Sequence, residues 1–172
     1  MEGAGRRMSG RLRAGMAAAA LALAADQASK LWLLYVFELG RRGIVEVGPF
    51  FDLVLAWNSG ISYGWLQTDS ASGQWLLLAF KTAAVVALAI WMARSRTFAA
   101  TISLGLIIGG AIGNAIDRLA YGAVVDFVLL HVRIGGKLYN WYVFNLADVA
   151  IVAGVAVLLY DSLRNPGAAK AP

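Results

Sequence analysis

Four stretches of this chain, roughly residues 14–37, 75–93, 98–118 and 143–162, are each apolar for about the 20 residues that a helix needs to cross the hydrocarbon core of a bilayer. Composition agrees with that reading: 60% hydrophobic and 15% charged residues, with a mean hydropathy of +0.67, lie outside the usual range of soluble domains. The expected fold class is an all-α integral membrane protein with four transmembrane helices and a small β-containing segment outside the membrane, in one domain over 1–172.

The net charge of +5 suggests orientation more than nucleic acid, because the positive side chains sit mainly at the ends of the apolar runs. Arg6, Arg7, Arg11, Arg13, Arg94, Arg96, Arg164 and Lys170 would fall on one side, and Arg41, Arg42, Arg133 and Lys137 on the other. Eight against four puts both termini in the cytoplasm and turns residues 38–74 and 119–142 outward. Basic residues followed by "AGMAAAALALAADQ" also look like a signal peptide with an Ala-x-Ala cleavage site. The apolar character resumes after a single polar turn with "LWLLYVF", so an uncleaved first helix is expected. In the outer segment, residues 44–57 hold β-rich runs around a Gly-Pro turn signal and predict a small sheet.

With no cysteine there is no disulfide framework, thiol nucleophile or Cys-based zinc site, and the single histidine, His131, leaves little room for a Ser-His or His-rich metal mechanism. The chemistry must therefore come from the polar residues inside the apolar runs, where ionisable groups are costly and are by default functional candidates. "DQASK" places Asp26 and Lys30 one helical turn apart, able to pair. Two readings of that pair stay open: a self-neutralising contact between helices, or a role toward substrate. Gly105, Gly109 and Gly113 form a small-residue stripe that lets another helix approach closely. In "GNAIDR", Asn114, Asp117 and Arg118 share a face, and a bidentate contact from Arg118 to Asp117 is expected as a structural ion pair. Asp126 is flanked by Val125 and Phe127 in a stretch too short to span, and Asn145 and Asp148 share a face about two turns inside the last span. Asp126 and Asp148 could thus meet near the outer membrane face. Two carboxyls in a partly dry site cannot readily both ionise, so one stays protonated while the other acts as a base, the chemistry of an aspartic protease.

The ordered set "DQASK", "WNSGISYG", "GNAIDR", "VVDF" and "FNLAD" resembles the five blocks of the lipoprotein signal peptidases, the membrane aspartyl proteases also called signal peptidase II. The blocks run from Asp26 to Asp148 in the family's order. The resemblance implies that Asp126 and Asp148 are the catalytic pair, and that Asp26, Lys30, Asn58, Gly60, Asn114, Asp117, Arg118 and Asn145 support the site or contact substrate. It also implies the substrate: a bacterial prolipoprotein cut on the amino side of a cysteine bearing a diacylglyceryl group, at the outer face of the inner membrane. Tyr63 stands where many members have Phe, which bears on the lining of the substrate groove.

No metal or cofactor is expected, and the partners expected are the prolipoprotein and membrane lipid, with no nucleic acid and a monomeric chain. Two rivals are weaker. A metal-dependent membrane transferase would group its carboxylates on adjacent turns, whereas here they are scattered. A proton-coupled transporter would show repeats or broken helices at the midplane. Lys81 is expected to snorkel to the interface, the six tryptophans to sit near span ends, "GGKLYNWY" to form a flexible edge of the site, and His131 to be an interfacial polar residue.

Overall fold

A computed structural model describes residues 2–59 and 71–165, with side chains for 10–59, 79 and 82–165. Helix α1 (Glu2–Leu31) continues into a π-helical turn (Trp32–Val36), followed by a short helix α2 (Leu39–Arg42), strands β1 (Val45–Glu46) and β2 (Phe51–Asn58), and helices α3 (Ala71–Arg94) and α4 (Phe98–Tyr121). Strands β3 (Val124–Ile134) and β4 (Lys137–Phe144) then lead into helix α5 (Leu146–Arg164).

Helix α4 is the centre of the helical layer because its glycines let two neighbours come to backbone contact. A Cβ at Gly105 or Gly109 would run into the backbone of Gly15 or Ala19, and one at Gly113 into the Asp26 carboxylate. Positions on α1 and α4 rise together along this seam, so the two helices are parallel. On the other side, a Cβ at Gly110 would lie 2.5 Å from the Ala147 carbonyl oxygen, and one at Gly154 2.6 Å from that of Ser103. Those positions run in opposite senses, so α5 is antiparallel to α4. The expected small-residue stripe is thus the seam with α1, and close backbone approach is what such a stripe allows. Helix α4 begins at Thr97, whose side chain accepts the Ala100 N–H, and stops at Gly122, in left-handed conformation with its N–H returned to the Arg118 carbonyl.

The sheet order is β1-β2-β3-β4, antiparallel throughout. Strands β3 and β4 form a hairpin in which Ile134 faces Lys137 across Gly135-Gly136, both at positive φ (57° and 80°), as a two-residue turn of that hand requires. Strands β2 and β3 pair with Ala56 opposite Asp126 and Asn58 opposite Val124. Leu33, Leu39 and Phe127 form the small core that fixes the sheet to the end of α1. Along the helices Ile90, Trp91, Val152, Leu159 and Leu163 are exposed apolar side chains, a surface made to face an apolar medium.

The expected all-α class with four transmembrane helices is corrected by this architecture. The protein is mixed α and β, with a four-stranded antiparallel sheet, and two of the described helices, α4 and α5, are long and apolar enough to cross a membrane. Helix α1 carries Arg11, Arg13, Asp26 and Lys30, and the described apolar part of α3 is only Thr82–Arg94. The segment 119–142, expected to face outward, is built largely into the sheet. It supplies β3 and most of β4, and β4 also takes residues 143 and 144, so that α5 begins at Leu146. "GGKLYNWY" forms the hairpin turn and most of β4.

Candidate active site

The site is built where the start of α5, the end of α4, the start of β3 and the last turns of α1 converge. Asn145 is the N-cap of α5 and Asp148 its third residue. The Asn145 Oδ1 accepts the Asp148 N–H (3.0 Å), and the Asp148 Oδ2 accepts the Asn145 N–H (3.2 Å). This reciprocal capping box explains locally why Asn and Asp stand three apart. It also puts both residues in the first turn of the helix, not two turns inside it.

The hydrogen bonds that follow have only one possible direction. A backbone N–H donates to Asn145 Oδ1, so the Asn145 Nδ2 must be the atom that reaches Asp126 Oδ1 (2.6 Å) and Asn114 Oδ1 (3.0 Å). Lys30, which can only donate, also points Nζ at Asn114 Oδ1 (3.1 Å). The Asn114 Nδ2 is therefore left facing Asp148 Oδ1, 2.9 Å away. Asn58 Nδ2, from the end of β2, donates to Asp126 Oδ2 (3.1 Å). Each of the four carboxylate oxygens of Asp126 and Asp148 thus accepts at least one uncharged N–H, and one residue, Asn145, touches both carboxylates.

Burial raises the Asp126 carboxyl above the usual carboxylate range, and the negative charge of Asp148 adds to the shift. The hydrogen bonds from Asn58 and Asn145 and the charge of Lys30 pull in the other direction without cancelling it.

A second cluster lies directly beneath. Asp26 and Lys30 pair at 2.8 Å as their spacing predicts, and both are buried. Lys30 also pairs with Asp117 at 2.7 Å. The expected contact between Asp117 and Arg118 is not formed: Arg118 donates instead to the Asn114 carbonyl (3.2 Å), and Asp117 Oδ2 accepts the Val125 N–H (3.1 Å). The Val125 bond pins the start of β3, next to Asp126, to the end of α4. Asp26 Oδ1 accepts the Ala147 N–H (2.9 Å), which pins the start of α5 to α1. Gln27, quoted in "DQASK" but not singled out by sequence reasoning, donates to Asp117 Oδ1 (3.0 Å), Asp26 Oδ2 (3.2 Å) and the Gly113 carbonyl (3.1 Å). Its signal was a second polar side chain beside Asp26 in an apolar run.

Gly60 and Tyr63 lie outside the described residues, as does the side chain of Lys81. His131 is five residues along β3 from Asp126, about 17 Å at strand rise. Its Nε2 lies 3.1 Å from Asp52 Oδ2, a contact made within the sheet.

The family described as signal peptidase (SPase) II matches residues 18–164. A lipoprotein signal peptidase of Nitrobacter hamburgensis is 74% identical over 161 residues, covering 94% of this chain and 98% of its own, and one of Rhodopseudomonas palustris is 72% identical over the same shares. A solved structure described as a bacterial membrane enzyme superposes with a TM-score of 0.71 at 25% identity, over 88% of this chain and 93% of its own. The chain belongs to the signal peptidase II family and is a membrane peptidase.

Proposed function

We propose that Asp126 and Asp148 are the catalytic pair of an aspartyl endopeptidase that removes the signal peptide from prolipoproteins, cutting on the amino side of a diacylglyceryl-modified cysteine. The observation that carries the reading is the bridge of Asn145 between two carboxylates that directly meet, among the described residues, only uncharged donors. The ionised carboxyl takes a proton from water as the hydroxyl adds to the scissile carbonyl carbon, and the protonated carboxyl gives its proton to the carbonyl oxygen. On collapse of the tetrahedral species the proton first taken passes to the departing amine of the lipidated cysteine, and a hydroxyl of the tetrahedral carbon returns its proton to the other carboxylate. The signal peptide leaves with a new carboxyl terminus.

Asn114 and Asn145 hold the two carboxyls in register, and Asn58 holds Asp126 from the sheet side and offers contact to substrate backbone. Lys30, Asp26, Asp117 and Arg118 support the platform on which those amides stand, and Gly60 belongs to the block that follows Asn58. The Lys and Arg asymmetry supports placement in the bacterial inner membrane with both termini cytoplasmic and the aspartates near the outer face, at the depth where a lipid-anchored peptide bond rests. Incubating the purified protein with a diacylglyceryl-modified prolipoprotein, with a chelator present, tests the proposal. Cleavage before the modified cysteine, with an unmodified prolipoprotein left intact, is the expected result. Cleavage abolished by the chelator, or equal cleavage of both substrates, would overturn it.

A further inference from the structure

At the end of α4 farthest from the aspartates, some 16 residues or about 24 Å from Asn114 at helical rise, a cavity of about 510 Å³ opens between the last turns of α3 and α5 and the start of α4. One part of its lining is apolar and exposed: Ile90, Trp91 and Leu159. Another part is cationic, from Arg94 and Arg96, both exposed. Neither guanidinium has an ion pair or hydrogen bond among the described residues. Arg164 close by differs, since it is turned onto Tyr160, donating to its hydroxyl at 2.9 Å. The one acidic residue in the lining, Asp161, is already occupied, with Oδ2 accepting the Thr97 hydroxyl (2.6 Å) and Oδ1 the Asn165 amide (3.0 Å).

We propose that this cavity binds one anionic phospholipid, its phosphate on Arg94 and Arg96 and an acyl chain along Ile90 and Leu159. Charge complementarity selects the headgroup: planar guanidinium groups suit phosphate oxygens, and two of them unpaired beside an apolar wall leave an anion wanting. The positive end of α4, at the same place, adds to the field. The apolar wall selects a lipid over a soluble phosphate. Exposed Leu159 continues on α5 into exposed Leu163 and Val152, so a chain lying there stays on the membrane-facing surface. A volume of about 510 Å³ lies in the usual range of small-molecule pockets and suits a headgroup with the first part of its chain. Trp91 at the edge has the amphipathic ring found at such interfaces. The site is independent of the aspartates and does not rest on their assignment.

Native mass spectrometry of the full chain in detergent, with equal amounts of phosphatidylglycerol and phosphatidylcholine, reads the preference directly. Wild type should retain phosphatidylglycerol on the order of tenfold better, and the Arg94→Gln/Arg96→Gln double variant should lose that preference while keeping its melting temperature and its peptidase activity in detergent. Leu159→Ser should weaken retention of both lipids. Equal retention of the two lipids by wild type, or an undiminished preference in the double variant, would overturn the proposal. So would displacement of phosphatidylglycerol by millimolar inorganic phosphate, which would make the cavity a site for free phosphate.

Discussion

Two polar clusters share Asn114 and treat their carboxylates in opposite ways. In the lower one, Asp26 and Asp117 close on the ammonium of Lys30 and are further filled by Gln27 and by backbone N–H groups from α5 and β3. One ammonium holds both carboxylates, and the cluster ties α1, α4, β3 and α5 together. In the upper one, Asp126 and Asp148 are held by uncharged amides, which orient each carboxyl without adding a full positive charge beside it. A buried carboxylate next to an ammonium stays ionised; one next to amides and a second carboxylate can exchange a proton. On the proposed assignment, immobility and reactivity are thus divided between neighbouring clusters that meet at Asn114.

The comparison breaks most visibly if the upper pair is made unable to titrate. Asp126→Asn and Asp148→Asn should each lower the cleavage rate by at least 10²- to 10⁴-fold with the melting temperature nearly kept, since general acid-base steps have about that worth. The double variant should be hardly slower than either single one, because the two act as a unit. Near-normal turnover by folded Asp148→Asn would end the assignment. Next comes the lower cluster, where Lys30→Met leaves two buried carboxylates without their cation and should cost about 3–5 kcal/mol of stability, seen in thermal or chemical unfolding. Asp117→Asn should behave likewise but more mildly, with activity surviving in whatever remains folded.

Asn114, common to both clusters, gives an intermediate effect. Asn114→Ala should reduce kcat more than it raises KM, because it releases Asp148 without removing a carboxyl. Asn58→Ala sharpens the contrast through pH. The Asn58 hydrogen bond favours the ionised form of Asp126, so its loss raises an already raised pKa further. The descending limb of the pH–rate profile, which follows deprotonation of the pair's remaining proton, should therefore move to higher pH. An unmoved or lowered limb would contradict the role given to Asn58. His131→Ala, confined to the sheet, should cleave almost normally.

The helical seams could be read from spacing, since glycines every four residues leave little doubt about close approach. The strand carrying Asp126 could not. Val124 to Phe127 are all buried, so the alternation that marks a half-buried strand is absent, and the segment looks like any short apolar run. The supposed Asp117–Arg118 pair failed for a different reason: adjacent residues on a helix project about 100° apart, and only three- or four-residue spacing brings side chains together. Lys30, on another helix, was the partner, and no local pattern could announce it. The residues of the motif blocks were visible one by one, but which amide faces which oxygen became fixed only once β3 and α1 were placed around Asn114.

The pairing of β2 with β3 has a consequence for how the chain comes to be an enzyme. Ala56 and Asp126 are opposite one another yet 70 positions apart, with α3 and α4 between them. Contacts so distant in sequence form slowly, since a long loop must close before they reward the closure. Helices complete themselves early by comparison. Any nascent chain ending before Asp148 lacks one carboxylate, and any chain whose β2 and β3 have not met holds Asp126 out of place. With Asp126 and Asp148 as the proposed catalytic pair, proteolytic competence therefore waits until α5 has begun and β2 has met β3.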